Sequence, residues 1–320
     1  MKPNVVIVSP ATAKANNGNW HTAARWARFL SRDYAVNVLQ QWTITDPLPD
    51  VMLALHARRS AESMLQLRQV RENGGLILAL TGTDVYGDIH TIDAAQRSLQ
   101  LADRLILLQP NAMFELPEAL RNKCETIFQS APTLTPGARS SRHFNIVQVG
   151  HLRHEKDPFT PISALRLLPA ESQIRLTQIG TALDAHHADT MAVVVRDEPR
   201  LRWLGGLTRA QTRQRIKRAH LLVIASKMEG GANVIVEAIT AGTPVIASHI
   251  SGNIGMLGVD YPGYFPFGDA QACAALMQRA ETDTRFMKQL TAACAKRAKL
   301  FAPEREAASI RAVVGRARSC

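Results

Sequence analysis

Apolar and polar positions along the chain fall into two alternating textures. Runs at 5–8, 36–39, 51–55, 76–80 and 105–108 are short, almost wholly apolar and rich in branched side chains, as strands covered on both faces of a parallel sheet are. Between the first two runs, Trp20, Ala23, Ala24, Ala27 and Leu30 recur at helical spacing, which predicts a helix with one buried face over 20–30. A second series of short runs follows at 145–149, 174–179, 201–204, 221–225 and 244–247. Between the two series, 132–142 mixes Pro, Gly, Ser and Arg with little apolar content, as an inter-domain linker does. The pattern predicts an α/β chain of two doubly wound, Rossmann-like domains, 1–138 and 143–302, with their strand ends facing across a shared cleft. Beyond Pro303 the composition is helical, so 303–320 is expected to form a terminal helix.

Composition narrows the classes of partner. The 320 residues suffice for two cores, and no apolar run is long enough to cross a bilayer. Before Pro10 the chain carries Lys2 and only a few apolar residues, so it reads as a first strand and not as a secretory leader. Cys124, Cys273, Cys294 and Cys320 lie far apart without a Cys-x-x-Cys pair, which argues against a disulfide framework or a zinc site and fits a reducing cytoplasm. The net charge of +11 favours anionic partners. Lys and Arg are scattered and aromatics make up only 5%, unlike the basic stripes and stacking aromatics of nucleic-acid binders. Small phosphorylated molecules are therefore expected, with no nucleic acid and no stable membrane insertion.

The most informative stretch follows the run at 221–225. Gly230 and Gly231 mark a turn between that strand and a helix expected to begin near Ala232 and Asn233. Backbone N–H groups can approach an anion closely there, and a helix start adds its positive end. Glu229 lies at the mouth of the turn and Glu237 eight residues on, a little over two helical turns away. The two carboxylates can reach different parts of one elongated ligand, and carboxylates accept hydrogen bonds from hydroxyls. A phosphorylated, hydroxyl-rich ligand is the expectation.

The ordered string Glu229, Gly230, Gly231, Asn233, Glu237, Ala241, Gly242, Thr243, Pro244 resembles the nucleotide-sugar site of family-4 glycosyltransferases of the GT-B fold. The resemblance implies that Glu229 contacts the donor sugar and counts among the catalytic residues, that Glu237 holds the ribose hydroxyls, and that Gly230, Gly231, Ala232 and Asn233 form the donor turn. After the strand ending at 149 the family reads Gly-Arg-Leu, three residues, Lys-Gly. Gly150, Leu152 and Lys156 match, while His151 replaces the first Arg and Arg153 follows two residues later. By resemblance Gly150, His151, Arg153 and Lys156 bind the diphosphate, and Lys156 and Arg153 are the expected catalytic cations. A fixed cation there would act where charge develops on the leaving phosphate.

In the first domain, Asn16, Asn17 and Gly18 occupy the family's glycine-rich first loop. Gly18 is expected at the donor and Asn17 at the acceptor. Thr81, Thr83 and Asp84 fall where family members carry a histidine-aspartate pair near the acceptor, and of that pair only Asp84 is kept. His56, Arg58 and Arg59 add positive charge at another strand end. The cluster Asp184, His186, His187 and Asp189 lies in a polar stretch, and no Asp-x-Asp pair occurs, so no metal site is expected. The resemblance likewise implies no cofactor, with the UDP-sugar as co-substrate, and a terminal helix at 303–320 that crosses back to the first domain as it often does in that family.

Strings around 9–20, 55–61, 80–84 and 149–158, with Gln109, Gln129 and Ser130, are similar over essentially the full length to the selenosugar synthase branch of that family. This implies C–Se bond formation between selenophosphate and a UDP-sugar such as UDP-N-acetylglucosamine or UDP-glucose, as in selenoneine biosynthesis. A small, multiply charged acceptor suits Arg58, Arg59 and Arg153, and an ionised selenium nucleophile needs no strong general base. An ordinary transferase with a carbohydrate or lipid acceptor and a non-catalytic nucleotide-sugar binder are the alternatives. Sugar preference, stereochemical course and oligomeric state are left open by the sequence.

Overall fold

The computed structural model describes residues 2–11 and 18–318. The chain divides into two compact units. One comprises Met1–Gln129, Glu229–Gly231 and Pro303–Cys320, and the other Ser130–Met228 and Ala232–Ala302. Each is built on a six-stranded parallel sheet.

In the first unit the strands are β1 (Asn4–Val8), β2 (Ala35–Leu39), β3 (Val51–Leu55), β4 (Leu76–Leu80), β5 (Arg104–Leu107) and β6 (Cys124–Thr126), in the order β2-β1-β3-β4-β5-β6. Successive residues of β1, β3 and β4 enter two different cores. Val6, Val8, Met52, Leu76 and Leu78 pack with Met64, Leu67 and Leu99, whereas Val5, Ile7, Val51, Leu53 and Ile77 pack with Trp26, Leu30, Ile310 and Val313. Because both faces are covered, polar alternation is absent from these strands. The helices Gly18–Leu30 and Pro303–Arg318 share the second of these cores. They are further joined by the Glu306 carboxylate, which accepts from Arg25 Nε at 2.8 and 3.0 Å and from Trp26 Nε1 at 2.7 Å.

In the second unit β7 (Phe144–Val149), β8 (Ile174–Ile179), β9 (Leu201–Trp203), β10 (Leu221–Ile224), β11 (Val245–Ser248) and β12 (Tyr264–Phe265) lie in the order β12-β11-β10-β7-β8-β9. Strand order reverses between β1 and β3 in the first sheet and between β7 and β10 in the second. Open α/β sheets bind ligands at the carboxyl ends of strands flanking such a point. The edge strands β6 and β12 span only three and two residues, too few to leave an apolar run in the sequence.

The Pro- and Gly-rich stretch expected as a linker is fastened to the second unit. Leu134 N donates to Thr240 O at 2.8 Å, Gly137 N to Lys217 O at 2.9 Å and Arg139 Nη2 to Gly242 O at 2.9 Å. Among the described residues no helix is long and apolar enough to cross a membrane.

Candidate functional site

At the switch point of the second unit, β7 runs directly into the loop 150–158. Gly150 N donates to Ile179 O and Leu152 N to Thr181 O, each at 2.9 Å, so the loop begins alongside the segment leaving β8. His151 Nδ1 accepts from Thr181 N at 3.3 Å. The loop then makes a single 3-10 turn, His154–Lys156, closed by Asp157 in the left-handed region at φ 43°. The stem of Lys156 passes over Gly150, with its Cβ, Cγ and Cδ 3.5–3.6 Å from where a Gly150 Cβ would sit. Gln148, Gly150, Lys156, Gln178 and Ser226 border a shallow recess with room for about one water molecule. Arg153 is half-exposed and pairs loosely with Glu155 at 3.8 Å. Gly150, His151, Arg153 and Lys156 are thus gathered on one loop at the carboxyl end of β7.

On the other side of that switch point β10 leads to the helix Asn233–Ile239. Glu237 is buried within this helix, and its Oε1 accepts from Arg209 Nε at 2.8 Å. Arg209 stands on the first turn of the helix Arg209–Ile216, which a Thr208–Gln211 capping box starts. Asn233 Oδ1 is buried without a hydrogen-bond partner among the described residues, and Ala232 is buried beside it. If the Glu237 carboxylate receives two hydroxyls of a ribose, Glu237→Ala should weaken UDP binding by about 1–3 kcal/mol. Calorimetric titration with UDP checks this, and unchanged affinity would remove Glu237 from the nucleotide.

Glu229, Gly230 and Gly231 group with the first unit. Glu229 is buried. A Cβ on Gly230 would lie 2.3 Å from Thr81 O, and one on Gly231 2.5 Å from Leu108 Cβ, so only glycine permits this approach.

In the same unit β3 is followed by His56, a buried residue held in the left-handed region at φ 77°. Such a backbone is costly for a non-glycine residue and is found where surrounding contacts impose it, often at functional sites. His56 Nε2 lies 3.1 Å from Thr83 Oγ1 and 3.8 Å from Asp88 Oδ2, and Nδ1 lies 4.0 Å from Asp84 Oδ2. Arg58 Nε donates to Asp88 at 2.8 Å, while the side chain of Arg58 is about half exposed and Arg59 is exposed.

Asp84, expected at the acceptor, is occupied otherwise. It is wholly buried, and its carboxylate accepts from Thr81 N at 2.9 Å, Gly82 N at 2.7 Å and Ala57 N at 3.0 Å. These bonds join the loops after β3 and β4, which makes Asp84 a brace for the site and leaves its carboxylate no exposed surface. Gly18 is exposed at the first position of its helix. Asn16 and Asn17 lie outside the described residues.

Burial holds the His56 imidazole below its ordinary pKa of 6.5, against the opposing pull of Asp84. The unfolded chain therefore takes up this proton first as pH falls. His56 should cost stability below about pH 6.5 and none above it. His220 is shifted in the same direction by burial, so a comparison isolates the term: His56→Asn, which tolerates the left-handed backbone, should flatten the fall in unfolding temperature between pH 7.5 and 5.5. Parallel curves for wild type and variant would exclude it.

Several residues of these sites carried no expectation from sequence. Arg209 was detectable only as part of a capping box. Gly180 has no motif around it, yet a Cβ there would sit 1.8 Å from Gly150 O. Gln148 and Gln178 interrupt apolar strands, a signal visible in the sequence once the strands are drawn. Among the described residues no group of three or more His, Cys, Asp or Glu is arranged to hold a metal ion.

A model of the family described as Glycosyl transferases group 1 matches residues 137–300, half of the chain. No curated protein sequence matches it. Among solved structures, sucrose-phosphate synthase of Thermosynechococcus elongatus is similar with a TM-score of 0.81 at 18% identity, covering 99% of each chain. HepE of Anabaena, solved with UDP and glucose, has a TM-score of 0.74 at 14% identity and covers 98% of this chain and 100% of its own. A glycosyltransferase of Rickettsia africae has a TM-score of 0.76 at 13% identity, over 99% of this chain and 98% of its own. The likeness at these identities is one of fold: two Rossmann-like domains of the GT-B type.

Proposed function

We propose that this chain, which belongs to the glycosyl transferases group 1 family, transfers a sugar from UDP-N-acetylglucosamine or UDP-glucose to selenophosphate. The donor reading is supported by the Gly150 loop with Lys156 and by Glu237 on the neighbouring element at the same switch point. It is also consistent with UDP being bound by HepE, a protein of similar fold. In this reading Glu237 holds the ribose, Glu229 the donor sugar, and Gly150, His151, Arg153 and Lys156 the diphosphate, with Gly18, Gly230, Gly231, Ala232 and Asn233 lining the donor.

The observation that carries the acceptor reading is the state of Asp84. Its carboxylate is spent on three backbone N–H groups, so the aspartate kept from the histidine-aspartate pair of the resembling family is no base here, while Arg59 is exposed next to Arg58, whose guanidinium pairs with Asp88. That combination suits a small anion whose nucleophilic atom is already ionised. Asn17, His56, Arg58, Arg59, Thr81 and Thr83 would receive it. A selenium lone pair forms the C–Se bond as the bond from the anomeric carbon to the phosphate oxygen breaks, and UDP leaves with that electron pair. Lys156 opposes the negative charge building on the departing diphosphate. Water then cleaves the Se–P bond, giving inorganic phosphate and a 1-seleno sugar.

One observation favours a second reading, an acceptor with a hydroxyl. His56 is held neutral by burial near pH 7 and stands beside Thr83 Oγ1, as a proton acceptor would. Anaerobic incubation with each UDP-sugar, with and without selenophosphate, followed by mass spectrometry for the selenium isotope pattern, separates the two. A selenosugar formed together with UDP supports the proposal. UDP-sugar binding without a selenium product removes selenophosphate as acceptor.

A further inference from the structure

Gln148 and Gln178 are exact register partners on the adjacent parallel strands β7 and β8, so their side chains leave the sheet on the same face. The positions preceding them on that face, Ile146 and Leu176, are buried and apolar. The glutamines themselves are 4% and 1% exposed. Gln178 Nε2 donates to Gly150 O at 2.9 Å, and Gln148 Nε2 reaches Asp157 O at 3.4 Å. The two amides therefore hold the first residue of the loop and the residue that closes its 3-10 turn. Gly180 lies against the same Gly150 carbonyl, where no Cβ fits.

Both Oε1 atoms are buried without a hydrogen-bond partner among the described residues. Unpaired buried acceptors are costly, and a sheet needing only stability would carry leucine or valine at both positions. What the pair provides is the position of the loop's ends.

We infer that Gln148 and Gln178 are positioning residues for Lys156: paired across two strands, they clamp both ends of the loop 150–157 and so fix where its ammonium group stands. Since the N–H of Lys156 bonds to Arg153 O at 3.0 Å and that of Asp157 to His154 O at 3.2 Å, the turn moves as one piece with its clamped end. The consequence for turnover rests on the reading of this loop as the diphosphate site, whereas the consequence for loop order does not.

The test uses Gln178→Met and Gln148→Met, which keep length and lose the N–H donor, in the full chain. Native-state hydrogen exchange read by mass spectrometry should show the amides of 151–157 exchanging at least tenfold faster in each variant, with those of β7 and β8 unchanged. In UDP-sugar turnover kcat should fall about tenfold or more while KM moves less than threefold. Combined with Lys156→Ala, either change should deepen the Lys156→Ala loss less than twofold, because a clamp has no effect once the clamped group is gone. Multiplicative losses, or unchanged exchange over 151–157, overturn the inference. Should the Met variants not fold, Gln178→Leu and Gln148→Leu, which also lack any donor, take their place in the same measurements. If wild type neither binds UDP nor turns over a UDP-sugar, the nucleotide-sugar reading fails, and the exchange data alone decide on the clamp.

Discussion

Lys156→Ala is expected to lower kcat for sugar transfer about 10²–10³-fold, comparable to removing one preorganised donor from an oxyanion site. The basis is position. Lys156 ends a tight turn at the carboxyl end of β7, its stem packs over Gly150, and it borders the recess at the switch point of the second sheet. A leaving diphosphate gains negative charge as the anomeric bond breaks, so a cation fixed beside it acts more strongly on the transition state than on the ground state. The side chain is half-buried on a loop, and its removal should leave unfolding temperature nearly unchanged. Lys156→Arg retains charge but carries a planar, larger head, and should recover only part of the rate. Initial rates of UDP release at saturating donor provide the measurement. A kcat within threefold of wild type would remove Lys156 from the chemistry.

Glu306→Ala should produce the largest loss of stability, about 3–5 kcal/mol. Arg25 and Glu306 are both buried, and the carboxylate also receives the indole N–H of Trp26. Deleting the carboxylate leaves a guanidinium without its counter-charge inside the first unit. The unfolding temperature of that unit should fall by roughly 10 °C. A control separates charge burial from lost packing: Arg25→Met combined with Glu306→Leu removes both charges, and should be markedly more stable than Glu306→Ala alone. Thermal unfolding followed by circular dichroism reads both variants. If the double variant is as unstable as the single one, the buried charge is not the cause.

Much of the secondary structure was legible from apolar runs. Strands β3 and β4 coincide with the runs at 51–55 and 76–80, since two covered faces demand an unbroken apolar segment, and β8 coincides with the segment 174–179, where apolar and polar residues alternate over its first four positions. The edges β6 and β12 were not legible, because two or three residues paired on one side need no such run. The Gly150 loop and the Glu229–Glu237 string were readable as motifs, and the structure puts Gly150, His151, Arg153 and Lys156 on one loop. Asp84 shows where reading by motif stops. Its position after β4 was legible, but whether its carboxylate faces a ligand or the backbone depends on Ala57, twenty-seven residues earlier.

By itself, the sequence determined most of the strands, the first and last helices, that the chain builds two doubly wound units, and which loops carry glycine, cations and carboxylates. These follow from local periodicity and from residues adjacent in the chain. The tertiary structure alone decided that Arg209 pairs with Glu237, that Gln148 stands opposite Gln178, that Gly180 faces the Gly150 carbonyl, and that Glu306 neutralises Arg25 from 281 residues away. Each of these depends on strand order and register, through which burial of many apolar side chains brings a few distant polar groups within hydrogen-bond reach.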